Sequence, residues 1–303
     1  MKFGIVGLGR MGANLARHAL ERGHQAVGYD RDPDLARALG REGLNAVFSL
    51  EELAGKIEPP RVVLIYVPHG DATEEVVMRL RPVLAAGDVV GDGGNSHWAN
   101  APRRHAFLGE AGIRFLDIGT SGGVAGARYG ACFMVGGDRE AYDLVAPLLR
   151  DLAVDPDGVY FVGPPGAGHY VKLVHNAIEF GMVQAIAEGV ELLLRSDYAI
   201  DLPALFSAWQ HGSVIRSWLV ELMGRALSEY PDLGALATYV EDTGEVKWVL
   251  EWALQRDIPL PVVTAAQTML MQYRDVECPA PKAVALLRNQ YGGHPIYRKG
   301  EQP

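Results

Sequence analysis

Cysteine is almost missing. Cys132 and Cys278 are the only two in 303 residues, far apart and without the spacing of a metal knuckle. That excludes a disulfide framework and a cysteine-based metal site, so no metal is expected. Thiols this sparse fit a reducing compartment, and a cytoplasmic protein is expected. No apolar run approaches the eighteen or so residues of a membrane span, so no membrane partner is expected. Excess positive charge is lacking too. There are 28 Lys and Arg against 37 Asp and Glu, a net charge of −9, which argues against a nucleic-acid partner. A small anionic substrate stays open, because a local basic pocket can sit in an acidic protein. There is no repeat, no low-complexity tract and no expected leader, since a strand opens at Lys2. What is present is an ordinary globular composition, 49% apolar and 21% charged. Its length suits two domains of roughly 100–200 residues each.

The first half alternates strands and helices. Residues 3–6 form a short apolar strand that runs into Gly7, Leu8, Gly9, Arg10, Met11 and Gly12, with a helix predicted over 13–22. This is G-x-G-x-x-G in its strand–turn–helix setting. Its glycines allow a tight turn and close approach of the backbone to a pyrophosphate at a helix N-terminus. A second strand, 25–30, ends in Asp30, about twenty residues on, where a carboxylate can bond a ribose 2′-hydroxyl. The same carboxylate repels a 2′-phosphate, so NAD is the expected cofactor. Arg31 beside it keeps NADP as the alternative. Helices are predicted over 33–41 and 49–56. The apolar strand 61–67 ends at Val67 and runs into a loop opened by Pro68, at a strand C-terminus, where open α/β sheets bind ligands. A helix over 71–85 and a strand over 88–92 lead to Asn95, which is placed to reach the nicotinamide or the substrate. After a helix over 100–111 and a strand over 113–117, residues 118–130 read as a glycine-dense loop containing Ser121, Gly122 and Gly123. Such a loop presents backbone amides to an anion. Strands over 131–135 and 158–162, with a helix over 138–150 between them, complete the domain.

From Gly166 the pattern is helical only. A helix over about 167–195 carries Lys172, His175, Asn176 and Glu179 at i, i+3, i+4 and i+7, all on one face. The rest of its girth is apolar (Val171, Leu173, Val174, Ile178, Met182), so the helix is expected to be buried. A buried stripe of amine, imidazole, amide and carboxylate either pairs with itself, Lys172 with Glu179 through the residues between, or faces a substrate. Further helices are predicted over 203–211, 214–228, 242–256, 260–274 and 280–290. The tail holds Arg288 and His294 around a Gly-Gly turn. The expected fold class is α/β: an N-terminal Rossmann-type doubly wound sheet, residues 1–165, followed by an all-α domain, residues 166–303, for substrate binding and oligomerisation.

Together these motifs resemble the 6-phosphogluconate dehydrogenases, in their short NAD-type form, within the β-hydroxyacid dehydrogenase superfamily. The resemblance spans essentially the whole chain. It rests on Gly7 to Gly12, Gly91-Asp-Gly-Gly-Asn-Ser96, Ser121-Gly-Gly123, Gly168-His-Tyr-Val-Lys-Leu-Val-His-Asn-Ala-Ile-Glu179 and Arg288-Asn-Gln-Tyr-Gly-Gly-His294. It implies oxidative decarboxylation of 6-phosphogluconate, or a related aldonic acid, to ribulose 5-phosphate or a pentulose and CO2. Lys172 would be the general base and Glu179 the acid that protonates C1. Asn95, His175 and Asn176 would hold substrate hydroxyls, and Ser121, Gly122 and Gly123 the carboxylate. Arg288 and His294 would resemble tail residues that reach a neighbouring subunit's site, which implies a homodimer or tetramer. Two departures concern the phosphate. Phe180 stands where the family usually has tyrosine, and Gln272 where it usually has arginine. Lys247 and Arg288 remain as phosphate candidates, and a substrate without phosphate is the alternative. Outside this reading stand a simple 3-hydroxyacid dehydrogenase or reductase that does not decarboxylate, and a non-catalytic NAD-binding sensor.

Overall fold

A computed structural model describes residues 1–275, 277, 279–292 and 295–297. It divides into two compact units, Met1–Asn176 and the chain from Ala177 on.

The first unit opens with β1 (Lys2–Val6), α1 (Arg10–Glu21), β2 (Gln25–Tyr29), α2 (Pro33–Gly40), β3 (Asn45–Val47), α3 (Leu50–Gly55) and β4 (Val62–Ile65). It continues through α4 (Asp71–Leu80), β5 (Val89–Asp92), α5 (Ala101–Gly109), β6 (Arg114–Ser121), α6 (Gly123–Tyr129), β7 (Cys132–Gly137), α7 (Arg139–Asp151) and β8 (Val159–Gly163). The strands form one sheet in the order β3-β2-β1-β4-β5-β6-β7-β8. All neighbours are parallel except β6 and β7.

Both faces of the sheet are covered, so its strands are apolar on both sides. Phe3, Ile5, Val62 and Leu64 point into one core layer. Val6, Val63 and Ile65 point into the other. Local signals set the helix starts. Asp32 accepts from the Asp34 amide before Pro33 opens α2, and Ser49 accepts from the Glu52 amide at α3, in the usual manner of N-caps. The strand order reverses between β1 and β4, and the crevice beyond their C-terminal ends is where such sheets take ligands.

The stretch 118–130 departs from the loop predicted for it. β6 runs on to Ser121, and α6 fills Gly123–Tyr129. The antiparallel pairing of Gly119, Thr120 and Ser121 with Met134, Phe133 and Cys132 supplies the ladder that extends β6. The three-residue β3 was not foreseen from sequence.

α8 (Ala167–Leu194) is continuous across the boundary between the units. Its expected burial holds on one side only. Leu173 and Ala177 are buried, but Ile178 is 57% and Met182 41% exposed. That apolar flank is only partly covered in the single chain. The second unit continues with α9 (Leu202–Trp209), α10 (Trp218–Glu229), α11 (Glu245–Leu254), α12 (Pro261–Arg274) and α13 (Pro279–Gly292). Val190 of α8 packs there with Leu202, Phe206, Val220 and Leu227.

Candidate active site

The glycine-rich turn after β1 is built for close approach. Gly7 has φ +92°, and a Cβ there would lie 2.4 Å from the Tyr66 carbonyl oxygen. A Cβ on Gly12 would lie 1.9 Å from the Gly7 carbonyl oxygen. The turn, α1 and the chain leaving β4 are therefore in direct backbone contact, which only glycine permits. Gly9 and Arg10 are exposed at the α1 N-terminus, and Leu8 is buried. The Asp30 carboxylate accepts the Leu8 amide at 2.6 Å and the Asp32 amide at 2.9 Å. Asp30, one residue past the end of β2, thus braces the turn. Its carboxylate keeps further lone pairs for a ribose hydroxyl. Arg31 is exposed beside it, and Val67 and Pro68 follow β4 at the same sheet edge. An open cradle of amides at a helix N-terminus, with an acceptor at the next strand end, fits a dinucleotide.

Further along that edge, Tyr66 and Thr120 join the glycine turn to β6. Their hydroxyls are 3.1 Å apart, and burial pushes the Tyr66 phenol up to about 12. A Cβ on Gly93 would strike the Tyr66 ring at 2.4 Å. The strand end that leads to Asn95 is therefore pressed onto this tyrosine.

The first turns of α8 meet β6. A Cβ on Gly119 would fall 2.5 Å from Lys172 Cβ, so Lys172 is seated directly on the glycine backbone. Lys172 Nζ donates to Asn176 Oδ1. His175 Nδ1 lies 3.3 Å from the same oxygen, and His175 Nε2 lies 3.0 Å from Ser121 Oγ. An amide oxygen only accepts, so Nδ1 carries the proton. In the neutral ring Nε2 then accepts from the Ser121 hydroxyl. Ser121, His175, Asn176 and Lys172 form one connected row. Gly122 and Gly123 follow at φ +112° and +61°, where α6 begins beside Ser121.

Glu179 stands seven residues beyond Lys172 on α8, partly buried, and Phe180 follows it. In the second unit Lys247 Nζ lies 3.0 Å from Asp242, and Arg274 lies 2.9 Å from the same carboxylate. Asp242 is held below the usual carboxylate range: burial pushes it up, and hydrogen bonds from Lys247, Gly244 and Gln267 outweigh that. Arg288 is exposed on α13, and Gln272 is exposed on α12. His294 lies outside the described residues. No cluster of metal-binding side chains occurs among the described residues.

A profile described as the NAD binding domain of 6-phosphogluconate dehydrogenase matches residues 2–163. One for the C-terminal domain of 6-phosphogluconate dehydrogenase matches residues 168–196. The chain belongs to the 6-phosphogluconate dehydrogenase family. It is 42% identical to YqeC of Bacillus subtilis, provisionally assigned as a 6-phosphogluconate dehydrogenase, over 99% of this chain and 100% of that protein. It is 36% identical to the NAD-dependent, decarboxylating 6-phosphogluconate dehydrogenase of Haloferax volcanii, over 99% and 100% of the two chains. Among solved structures, Plasmodium falciparum 6-phosphogluconate dehydrogenase superposes with a TM-score of 0.81 at 29% identity. That match covers 100% of this chain and 67% of the other. The protein is thus an NAD(P)-binding oxidoreductase with a Rossmann domain followed by helices.

Within the family's motifs, sequence reasoning missed a buried ionic layer under α8. Asp92 is 2.6 Å from Arg104 and 3.1 Å from His169. Asp117 accepts the Gly166 and His169 amides, both at 2.8 Å. The one signal available was His169, a polar residue in an apolar helical start.

Proposed function

We propose that this protein is a decarboxylating 6-phosphogluconate dehydrogenase, with residues 1–165 as the dinucleotide-binding domain and 166–303 as the substrate and oligomerisation domain. The observation that carries the reading is the connected row Ser121–His175–Asn176–Lys172. Gly7 to Gly12, Asp30, Arg31, Val67, Pro68 and Asn95 would hold the dinucleotide, whose nicotinamide accepts a hydride when bound. Lys172 takes the proton of the C3 hydroxyl as the C3 hydride leaves. An amine does this only in its neutral form, so a bound substrate must find Lys172 deprotonated. Protonated Lys172 then polarises the C3 ketone. The C1–C2 bond breaks, CO2 departs, and the electron pair forms the enediol. Glu179 gives the proton that closes the reaction at the new C1. Asn95, His175 and Asn176 hold hydroxyls, and the Ser121–Gly122–Gly123 amides hold the carboxylate.

The exposed apolar flank of α8, with Ile178, Met182 and Val183, supports a homodimer or tetramer in which Arg288 and His294 reach a neighbouring site. No helix of the described residues is long and apolar enough to cross a membrane, and a cytoplasmic location is proposed on the family's chemistry. A second reading concerns the phosphate alone. Lys247 is matched by Asp242 at 3.0 Å, Phe180 offers no hydroxyl and Gln272 no charge. These features favour an unphosphorylated aldonate. Lys172→Met is the test. Turnover should vanish while NAD affinity stays within about twofold, and retained turnover would remove Lys172 as the base.

A further inference from the structure

Asp92 and Asp117 are register partners on the neighbouring parallel strands β5 and β6, and both are fully buried. Two like charges side by side on one sheet are destabilising unless something offsets them. Here both are aimed at the first turn of α8. Asp117 takes the Gly166 and His169 amides at 2.8 Å, where the positive end of a helix favours an anion. Asp92 takes the His169 imidazole at 3.1 Å and the Arg104 guanidinium at 2.6 Å. Arg104, from α5, also meets Glu74 of α4 at 2.7 Å. His169 and Arg104 are each only 1% exposed. Burial alone would pull the His169 imidazole down, but Asp92 and Asp117 outweigh it and hold it above its ordinary value.

A buried ionic layer of this kind is a poor source of stability, since an apolar layer of the same shape packs as well or better. What it supplies is direction. Apolar contacts let a helix slide or rotate slightly, and hydrogen bonds of fixed geometry do not. β6 then touches α8 a second time on the same face, because Asp117 and Gly119 are two residues apart on one strand. Gly119 is the seat of Lys172, and Lys172 is three residues, about one turn, beyond His169. The two contacts fix both the height and the rotation of the lysine.

We propose that His169 is a positioning residue for the reaction at Lys172, locking the first turn of α8 to β5 through Asp92. The proposal rests on the reading of Lys172 as the base. The test uses His169→Gln and His169→Asn in the full-length protein. A glutamine amide nitrogen sits near the place of Nε2 and still donates to Asp92. The shorter asparagine does not reach. Turnover with 6-phosphogluconate and NAD, NAD affinity by titration calorimetry, and thermal unfolding are measured for both.

The expected result is a kcat within about fivefold of the parent for the glutamine variant and about 100-fold lower for the asparagine variant. NAD affinity should stay within about twofold in both. Equal turnover of the two variants overturns the proposal, as does an NAD affinity that falls in step with kcat. If the asparagine variant does not fold, the glutamine variant decides alone: a loss beyond about fivefold overturns the proposal. Lys172→Met separates the two readings. If it stays active, the base assignment fails whatever His169 does. If it is dead while the asparagine and glutamine variants match, positioning by His169 fails by itself.

Discussion

Gly119→Ala probes how Lys172 is held. Gly119 has ordinary strand backbone, so alanine meets no conformational penalty there. Its methyl would lie 2.5 Å from Lys172 Cβ, 3.2 Å from Lys172 Cγ and 3.0 Å from the Gly168 carbonyl oxygen. Opening the shortest of these to a tolerable 3.0 Å moves α8 by about half an ångström, and to an ordinary 3.4 Å by nearly one. The helix cannot simply retreat, because the Asp117 carboxylate holds its first amides at 2.8 Å. Overpacking of this sort costs about 1–3 kcal/mol, a fall in Tm of roughly 2–12 °C. With Lys172 as the proposed base, a displacement approaching 1 Å at its amine should lower kcat by about 10- to 100-fold. NAD affinity should hold, since the glycine turn after β1 is untouched. The control is Gly189→Ala on the same helix, where an added Cβ meets nothing within 4 Å. It should be neutral or stabilising by roughly 0.4–1 kcal/mol. Steady-state NADH formation and calorimetric unfolding of both variants are the assays. A Gly119→Ala protein as active and as stable as the parent would refute the idea that β6 seats Lys172.

Three further outcomes are expected. Asp30→Ala removes both the proposed ribose acceptor and the brace on the Leu8 amide. NAD should bind roughly tenfold more weakly, on the scale of a charge-assisted hydrogen bond, and the preference over NADP should narrow; calorimetry with the two dinucleotides reads both. Glu179→Gln should slow decarboxylating turnover by about 10²- to 10⁴-fold, the range of one general acid, with NAD affinity unchanged. The Asp92–His169 pair gives a pH signature. Asp92 is held low because His169, then Arg104 and Ser96, outweigh its burial, and His169 is held high. Asp92 therefore stabilises above its unfolded value near 3.9 and loses that as pH falls through its lowered folded value. His169 stabilises fully below its unfolded value near 6.5 and loses that as pH rises through its raised folded value. The urea midpoint of the parent should exceed that of His169→Asn most between about pH 4 and 6.5, and the gap should shrink on the alkaline side. A gap that stays constant to high pH contradicts the charged pair.

Much of this was legible because the decisive signals are local. Strand, glycine turn, helix and Asp30 lie within thirty residues, and the i, i+3, i+4, i+7 spacing of Lys172, His175, Asn176 and Glu179 needs only a helix to give it meaning. Glycine misled where tertiary pairing overrode propensity: residues 118–130 read as loop, yet the β7 ladder makes strand of Gly119 to Ser121. The burial of α8 was overstated because periodicity reports an apolar surface and not what covers it. The Asp92, Asp117, Arg104 and His169 layer was invisible, since its partners come from β5, β6, α5 and α8, up to 77 residues apart. No spacing rule joins them. Within the stripe, Lys172 bonds Asn176 and His175 lies against the same amide oxygen, the links expected of a row whose members hold one another.

The most direct test of the central claim is the stoichiometry of NADH and CO2 when the purified protein is given 6-phosphogluconate and NAD, with gluconate in parallel. One CO2 is expected for each NADH, and the same ratio with gluconate if the Asp242-matched Lys247 leaves phosphate unread. NADH without CO2 would contradict it and leave a simple hydroxyacid dehydrogenase in its place.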